Sequence, residues 1–439
     1  MLQIIALGLF ILSLVAAVFS SSWALAAALC IFTSKQVLQS YSDFFITNSE
    51  IPNYVVGSIV LLCAFRMSIT NRGLFQNFIT PTMVACTVLF SWSALSLLWT
   101  PSYLNGLEFV RGGVPYFLIF VFISPILLNN AEFIRPYIIN LLIMGSVIAL
   151  LIQGSPNFVF YGGRLVVRFS EKLGSNPLAI GELGGVVVIC GVLLQSKIKD
   201  IKIVVIRISA VVFGMLLSLQ SGSRGQLIFA LIIAVAFIPA ARQIQNIVKF
   251  FVTLAISIIS IAILATVLSS TLEADLLDRW GSNAMEGGAI DRFLNYQEAL
   301  IAFLKSPLAL LIGLGFNAFS SITLARGGDY AHNIFIELIT EAGLPALFLF
   351  MWILWIVYRD SRWLFNHFKD RPTERSSIAV LSALAVFYFL IANKQANLWG
   401  QCPMFMYFCM ISRLKYIHMA DDDLTHLDLH NSDTIAEQV

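Results

Sequence analysis

Residues 137–152 read YIINLLIMGSVIALLI, a run with no Asp, Glu, Lys, Arg or His. Its length matches what a helix needs to cross a hydrocarbon slab about 30 Å thick. Runs of the same kind recur at 177–194, 203–218, 250–268 and 333–357, all poor in charge. The chain of 439 residues is 58% hydrophobic and only 12% charged. That much apolar surface exceeds what a water-soluble core of ordinary surface-to-volume ratio hides. Backbone polar groups in lipid must be satisfied within the spanning segment, and no barrel-like alternation runs through these segments. The expected fold class is therefore an all-α polytopic membrane protein.

Threading the chain places spans at 3–19, 21–38, 54–66, 79–98, 113–128, 137–152, 177–195, 203–218, 225–240, 249–268, 333–357, 377–393 and 399–412. This gives about 12–13 transmembrane helices, the first two short enough to be one span plus a hairpin. The N-terminal run Leu2–Phe19 has no basic segment ahead of it, so it reads as a retained helix and not as a cleaved signal. One integral membrane domain is expected over 1–418, with a polar cytoplasmic tail over 419–439.

Lys and Arg accumulate on the cytoplasmic side of membrane proteins. Most of the 27 here fall into connectors that this threading places on one face, among them the basic 358–376 segment. That face is taken as cytoplasmic. The opposite face then receives Arg111, Arg164, Arg168, Lys172, Arg224, Arg279, Arg292, Lys305, Arg326 and Lys394. It also receives one long loop, 269–332, which exceeds an ordinary connection and so implies function. Trp280, Phe293, Tyr296 and the apolar stretch Leu308–Leu314 suit two or more short helices lying back on the bilayer. The formal net charge of +2 points to no acidic macromolecular partner. The six cysteines lie in apolar runs without CxxC spacing and read as small packing residues.

Four groups on the outer face carry chemistry. Ser221-Gly222-Ser223-Arg224-Gly225 sits between two apolar helices with almost no loop. An arginine at such a boundary is costly unless it pairs or snorkels. Near a helix start, its planar fork joins a positive helix end and suits a phosphate, with snorkelling to lipid headgroups as the plain alternative. Arg292 lies in the segment Asp291-Arg292-Phe293, where an ordinary surface ion pair is the alternative. His332, in Tyr330-Ala331-His332-Asn333, is the sole histidine assigned to that face, since His367, His418, His426 and His430 fall on the other. An imidazole can take a proton from an attacking hydroxyl, although one at a helix entry can equally bond backbone. Arg164, Arg168 and Lys172 form a further basic patch ahead of Asn176-Pro177, which reads as a helix start.

Arginines beside one histidine suit a ligand carrying a diphosphate and a hydroxyl to be activated. Asp275, Asp278 or Asp291 could offer oxygens to a metal instead, but no DxD-like pair is present, so no metal site and no cofactor are expected. A lipid flippase or transporter of similar span number would need polar residues along the bundle interior, where Glu182 is nearly alone, and Glu182 could instead sit near the Arg164–Arg168 patch.

The residues Ser221–Gly225, the Arg292 segment, and His332-Asn333 running through Glu337 to Glu341-Ala-Gly-Leu-Pro345 resemble the O-antigen ligase and polymerase superfamily, most strongly over 164–350. The resemblance implies a metal-independent, inverting membrane glycosyltransferase of lipopolysaccharide biosynthesis in the bacterial cell inner membrane. It implies an undecaprenyl-diphosphate-linked glycan as donor at the periplasmic face. The acceptor would be lipid A-core for a ligase or a second lipid-linked glycan for a polymerase, which the shared motifs do not discriminate. It further implies that His332 activates the acceptor hydroxyl and that Arg224 and Arg292 bind the diphosphate. Arg164 and Arg168 compete for one further such position, with Arg168 preferred.

Overall fold

A computed structural model of the chain describes residues 2–71, 74–75, 77–128, 130–169, 172–173, 176–195, 200–242, 248, 251–252, 255, 259, 266, 282–322, 331–395 and 397–436. These residues are overwhelmingly helical, and each expected span except 249–268 coincides with described helix; 249–268 lies largely outside the described residues. By length and composition, eight described helices suffice to cross a membrane, and Gln3–Phe19 and Pro177–Leu193 are shorter apolar ones. The protein is an all-α polytopic membrane protein.

The helices are α1 (Leu2–Phe19), α2 (Ser21–Leu29), α3 (Ile31–Tyr41), α4 (Ile51–Thr70), α5 (Pro81–Leu95), α6 (Tyr103–Phe117) and α7 (Ile134–Gly154). After a small sheet come α8 (Pro177–Leu193), α9 (Ile201–Gln220), α10 (Arg224–Ala241), α11 (Ser282–Leu304), α12 (Pro307–Ile312) and α13 (Ala318–Ile322). The chain ends with α14 (Ile334–Glu337), α15 (Gly343–His367), α16 (Pro372–Ala392) and α17 (Cys402–Ala436).

The centre of the bundle follows from one helix. In α8 nearly every side chain is buried, so it has no polar face to turn to solvent or headgroups. Its glycines set the packing distances. A methyl group at Gly184 would approach the Gly214 carbonyl of α9 to 2.5 Å, and one at Gly185 would approach the Phe387 ring of α16 to 2.6 Å. Helices that meet at small residues bring their backbones together and gain dispersion contacts that lipid tails cannot supply. The six cysteines are free and buried in this packing.

Four features differ from the expectations. The span foreseen at 113–128 begins as helix at Tyr103, because Asn105, Glu108 and Arg111 occupy its exposed side while Gly106, Val110 and Gly113 are buried. The segment after α7 is a three-stranded antiparallel sheet, β1 (Phe158–Tyr161), β2 (Arg164–Phe169) and β3 (Lys172–Leu173), turned by Gly162 and Gly163 at positive φ. The long loop contains, besides the short α12 and α13, the 23-residue α11. Glu182 faces the Tyr388 hydroxyl of α16 inside the bundle instead of joining the Arg164–Arg168 patch. Backbone helix of α17 runs on to Ala436 through the polar tail.

Candidate functional site

The Ser-Gly-Ser-Arg turn joins α9 to α10. Gly222 adopts φ +62, a conformation open to glycine at little cost, and this lets the chain reverse in three residues. Ser221 Oγ donates to the Ser218 carbonyl at 2.8 Å and accepts from Ser223 N at 3.2 Å, so the turn closes on itself. Ser221 and Ser223 are buried against Gly181 of α8, whose missing side chain makes room for them. Arg224 is then the first residue of α10 and half-buried, at the end where backbone N–H groups carry the positive pole.

A second cation converges on this turn. The Lys394 side chain crosses Gly225, where any side chain would collide with it. Its Nζ donates to Gln226 Oε1 at 3.1 Å, and the fully buried Gln226 donates through Nε2 to Gln395 Oε1 at 2.7 Å. The short connector between α16 and α17 is thereby bolted to the first turn of α10. Sequence reading placed Lys394 on the outer boundary but did not single it out. The available signal was the one that marked Arg224, a cation at the edge of an apolar run.

His332 approaches from the other direction. It is half-buried and has φ +54, and Asn333 after it is extended and caps α14, its Oδ1 accepting from Phe335 N at 3.0 Å and Ile336 N at 3.1 Å. The Tyr296 hydroxyl of α11 donates to the His332 carbonyl at 3.4 Å. Position 292 lies one turn before Tyr296 on α11; the Arg292 side chain is outside the described residues, as are those of Asp275, Asp278 and Asp291. Farther along α11, Ala299 packs with Phe319 and Ala331, next to His332.

The two halves share one connector. Glu337, 3% exposed, accepts from Leu398 N at 2.8 Å through Oε1, four residues beyond Lys394. Phe335 packs edge-on against Phe389 of α16, and Asn393 Nδ2 donates to the Phe389 carbonyl at 2.7 Å. Arg224, Lys394 and His332 therefore belong to one end of the bundle, linked through α14 and the 393–398 segment.

The remaining motif residues build the floor. Glu341, buried, accepts from Asn317 N at 2.8 Å and Phe319 N at 3.0 Å, which holds the start of α13. Leu314 N and Gly315 N donate to the Thr340 and Glu341 carbonyls at 2.8 and 2.9 Å. Gly313, Gly315 and Gly343 all have positive φ, and a methyl group at Gly343 would stand 2.6 Å from the Leu311 carbonyl. The Glu-Ala-Gly-Leu-Pro motif is thus a clamp on the Gly-Leu-Gly loop.

Arg164 and Arg168 are four residues apart on β2 and share one face of it, with Leu165 and Val167 buried on the other. The sheet docks on α3 and the start of α8: Asn157 Nδ2 donates to the Ser40 carbonyl at 2.7 Å, and Gln36 Nε2 to the Asn176 carbonyl at 3.0 Å. One turn of α8 separates Asn176 from Gly181, which touches the Ser-Gly-Ser-Arg turn. The sheet thus holds both arginines near the start of α8, Arg168 exposed and Arg164 half-buried.

Residues 208–351 match a family model described as O-antigen ligase. Over this third of its length the chain is similar to the O-antigen ligase family. The matched stretch includes Arg224, the Arg292 segment, His332, Glu337 and Glu341, whereas Arg164, Arg168 and Lys394 lie outside the matched residues. The match supports the O-antigen ligase superfamily and a glycosyltransferase of the ligase or polymerase type acting on lipid-linked glycans in a membrane. No curated protein matches the chain.

Proposed function

We propose that the protein transfers a glycan from undecaprenyl diphosphate to an acceptor hydroxyl at the periplasmic face of the bacterial inner membrane. The observation that carries this reading is the convergence of Arg224 and Lys394 on the start of α10, joined by the 393–398 connector to the helix that begins at His332. Two cations at a helix N-terminus stabilise a dianionic leaving group without a metal ion. The family resemblance adds Arg292 to the diphosphate site, and Arg168 or Arg164 brings further positive charge from the sheet.

In the reaction, the acceptor oxygen forms a bond to the anomeric carbon as the bond from that carbon to the lipid diphosphate breaks. His332 takes the hydroxyl proton, and the bonding pair leaves on the diphosphate oxygen. Attack opposite the leaving group inverts the anomeric centre. Charge grows on the diphosphate in the transition state, so the cations accelerate the step to the extent that they bind it better than the ground state.

Purified protein in lipid nanodiscs, given lipid-linked glycan, tests the reading. His332→Ala and Arg224→Ala are expected to lose transfer while inserting and folding normally; full transfer by either variant overturns it. Supplying lipid A-core in one reaction and only further donor in another separates ligase from polymerase by product size.

A further inference from the structure

Beside this site lies a second cavity of different chemistry, about 700 Å³ in volume, between α6, the start of α13 and the connector into α17. That volume falls in the range of small-molecule sites, roughly 300–1,000 Å³. Its lining mixes polar side chains, Glu50, Asn105, Glu108, Asn317, Ser320 and Asn397, with aromatic ones, Phe32, Phe109, Tyr116 and the buried Trp399.

The charge distinguishes this cavity from the Arg224 turn. Its acidic lining residues are Glu50 and Glu108, and none of its described lining residues is Lys, Arg or His. Lys35 reaches Glu50 at 3.1 Å, but it is not among the lining residues. A diphosphate would be repelled here. Carboxylate and amide groups accept and donate to neutral hydroxyls, and aromatic rings cover the apolar face of a ring-shaped ligand.

The cavity is also tied to His332 from two sides. Ser320 follows Phe319, which packs on Ala331 next to His332. Asn397 precedes Leu398, whose N–H is held by Glu337 of the helix that His332 leads into.

We infer that this cavity binds the sugar of a glycolipid or glycan, and, resting on the transferase reading above, that it seats the acceptor. The donor diphosphate and the acceptor hydroxyls are then sorted by charge, cations on one side of the connector and carboxylates on the other.

Gly112 provides the test. It lines the cavity within α6, and a methyl group built there meets nothing within 4 Å, whereas one at its neighbour Gly113 would collide with Trp399. Gly112→Trp therefore starts a bulky side chain from an open position in the lining, and Gly112→Ala serves as the permissive control. The probes are a diazirine-bearing alkyl glycoside and an alkyl phosphate of equal chain length, photocrosslinked to the full chain in nanodiscs and mapped by mass spectrometry. The glycoside is expected to label peptides covering 105–116 and 397–403, the phosphate is not, and Gly112→Trp is expected to lose the labelling while Gly112→Ala keeps it. Equal labelling of Gly112→Trp, or preference for the phosphate, overturns the sugar site. Labelling does not depend on turnover, so a labelled protein without transferase activity sinks the transferase reading and leaves the sugar site standing. Loss of labelling in Gly112→Trp with undiminished transfer removes the acceptor role alone.

Discussion

Glu337 Oε1 accepts a hydrogen bond from Leu398 N at 2.8 Å, and this one contact ties the helix that follows His332 to the connector that carries Lys394. Both groups are buried, so removing the carboxylate strands a backbone donor at a cost of about 1–3 kcal/mol. Glu337→Ala is expected to lower the thermal midpoint in detergent and to reduce transfer. Glu337→Gln, which keeps an acceptor in place, is expected to retain most of the stability. Equal stability of Glu337→Ala and the parent protein would show that the contact does not couple the two segments.

Lys394 sits across Gly225 and bonds Gln226, which places its ammonium beside the start of α10. If it neutralises the leaving diphosphate, Lys394→Met should cost on the order of 10²-fold in transfer rate, as does loss of one preorganised donor to developing charge. Lys394→Arg, which keeps the charge with a different geometry, should recover part of it. Initial rates at saturating donor decide the matter, and a Met variant as fast as the parent removes Lys394 from the site.

Asn333 caps α14 through two backbone N–H groups, directly after a histidine held at positive φ. Asn333→Ala is expected to destabilise the protein by about 1 kcal/mol and to slow transfer by releasing the orientation of His332. Asn333→Asp restores a capping oxygen and should restore both. Failure of the Asp variant to rescue the rate would separate the cap from catalysis.

Gly343 has φ +80 and ψ 177, a combination essentially restricted to glycine, and lies against the Leu311 carbonyl. Gly343→Ala should cost about 1–3 kcal/mol from backbone conformation alone, with the steric clash adding to it. The Gly112→Ala variant, whose added methyl points into open space, should be neutral or slightly stabilising, since alanine favours helix. Parallel thermal melts compare them, and equal melting of the two would refute the clamp described for the Glu341–Pro345 motif.

Much of the bundle was legible because lipid imposes a simple rule: a long apolar run must be helical to satisfy its own backbone. The run 137–152 and its counterparts at 177–194, 203–218 and 333–357 fall where expected, and the Ser221–Gly225 turn stands between two helices as its spacing implied. The small sheet was not foreseen. Its alternation of buried Leu165 and Val167 with Arg164 and Arg168 spans only a few residues, and a basic segment between spans resembles any headgroup-binding loop. Nor did composition reveal that α6 starts at Tyr103, because its charged outer side lowers the hydropathy of a helix whose inner side is packed glycine and valine.

By itself, then, the sequence determined the helical membrane class, the order of the spans and the candidate cations and histidine, since these depend on local hydropathy and residue type. Only the tertiary structure decided which charges meet. Lys394 lies far along the chain from Arg224, and Glu337 reaches Leu398 across a helix pair. Such pairings depend on how glycine-lined helices approach one another, a property of the packed bundle that no single segment encodes. The same packing places Glu50 and Glu108 around a cavity with Asn317 and Trp399, which no local motif announced.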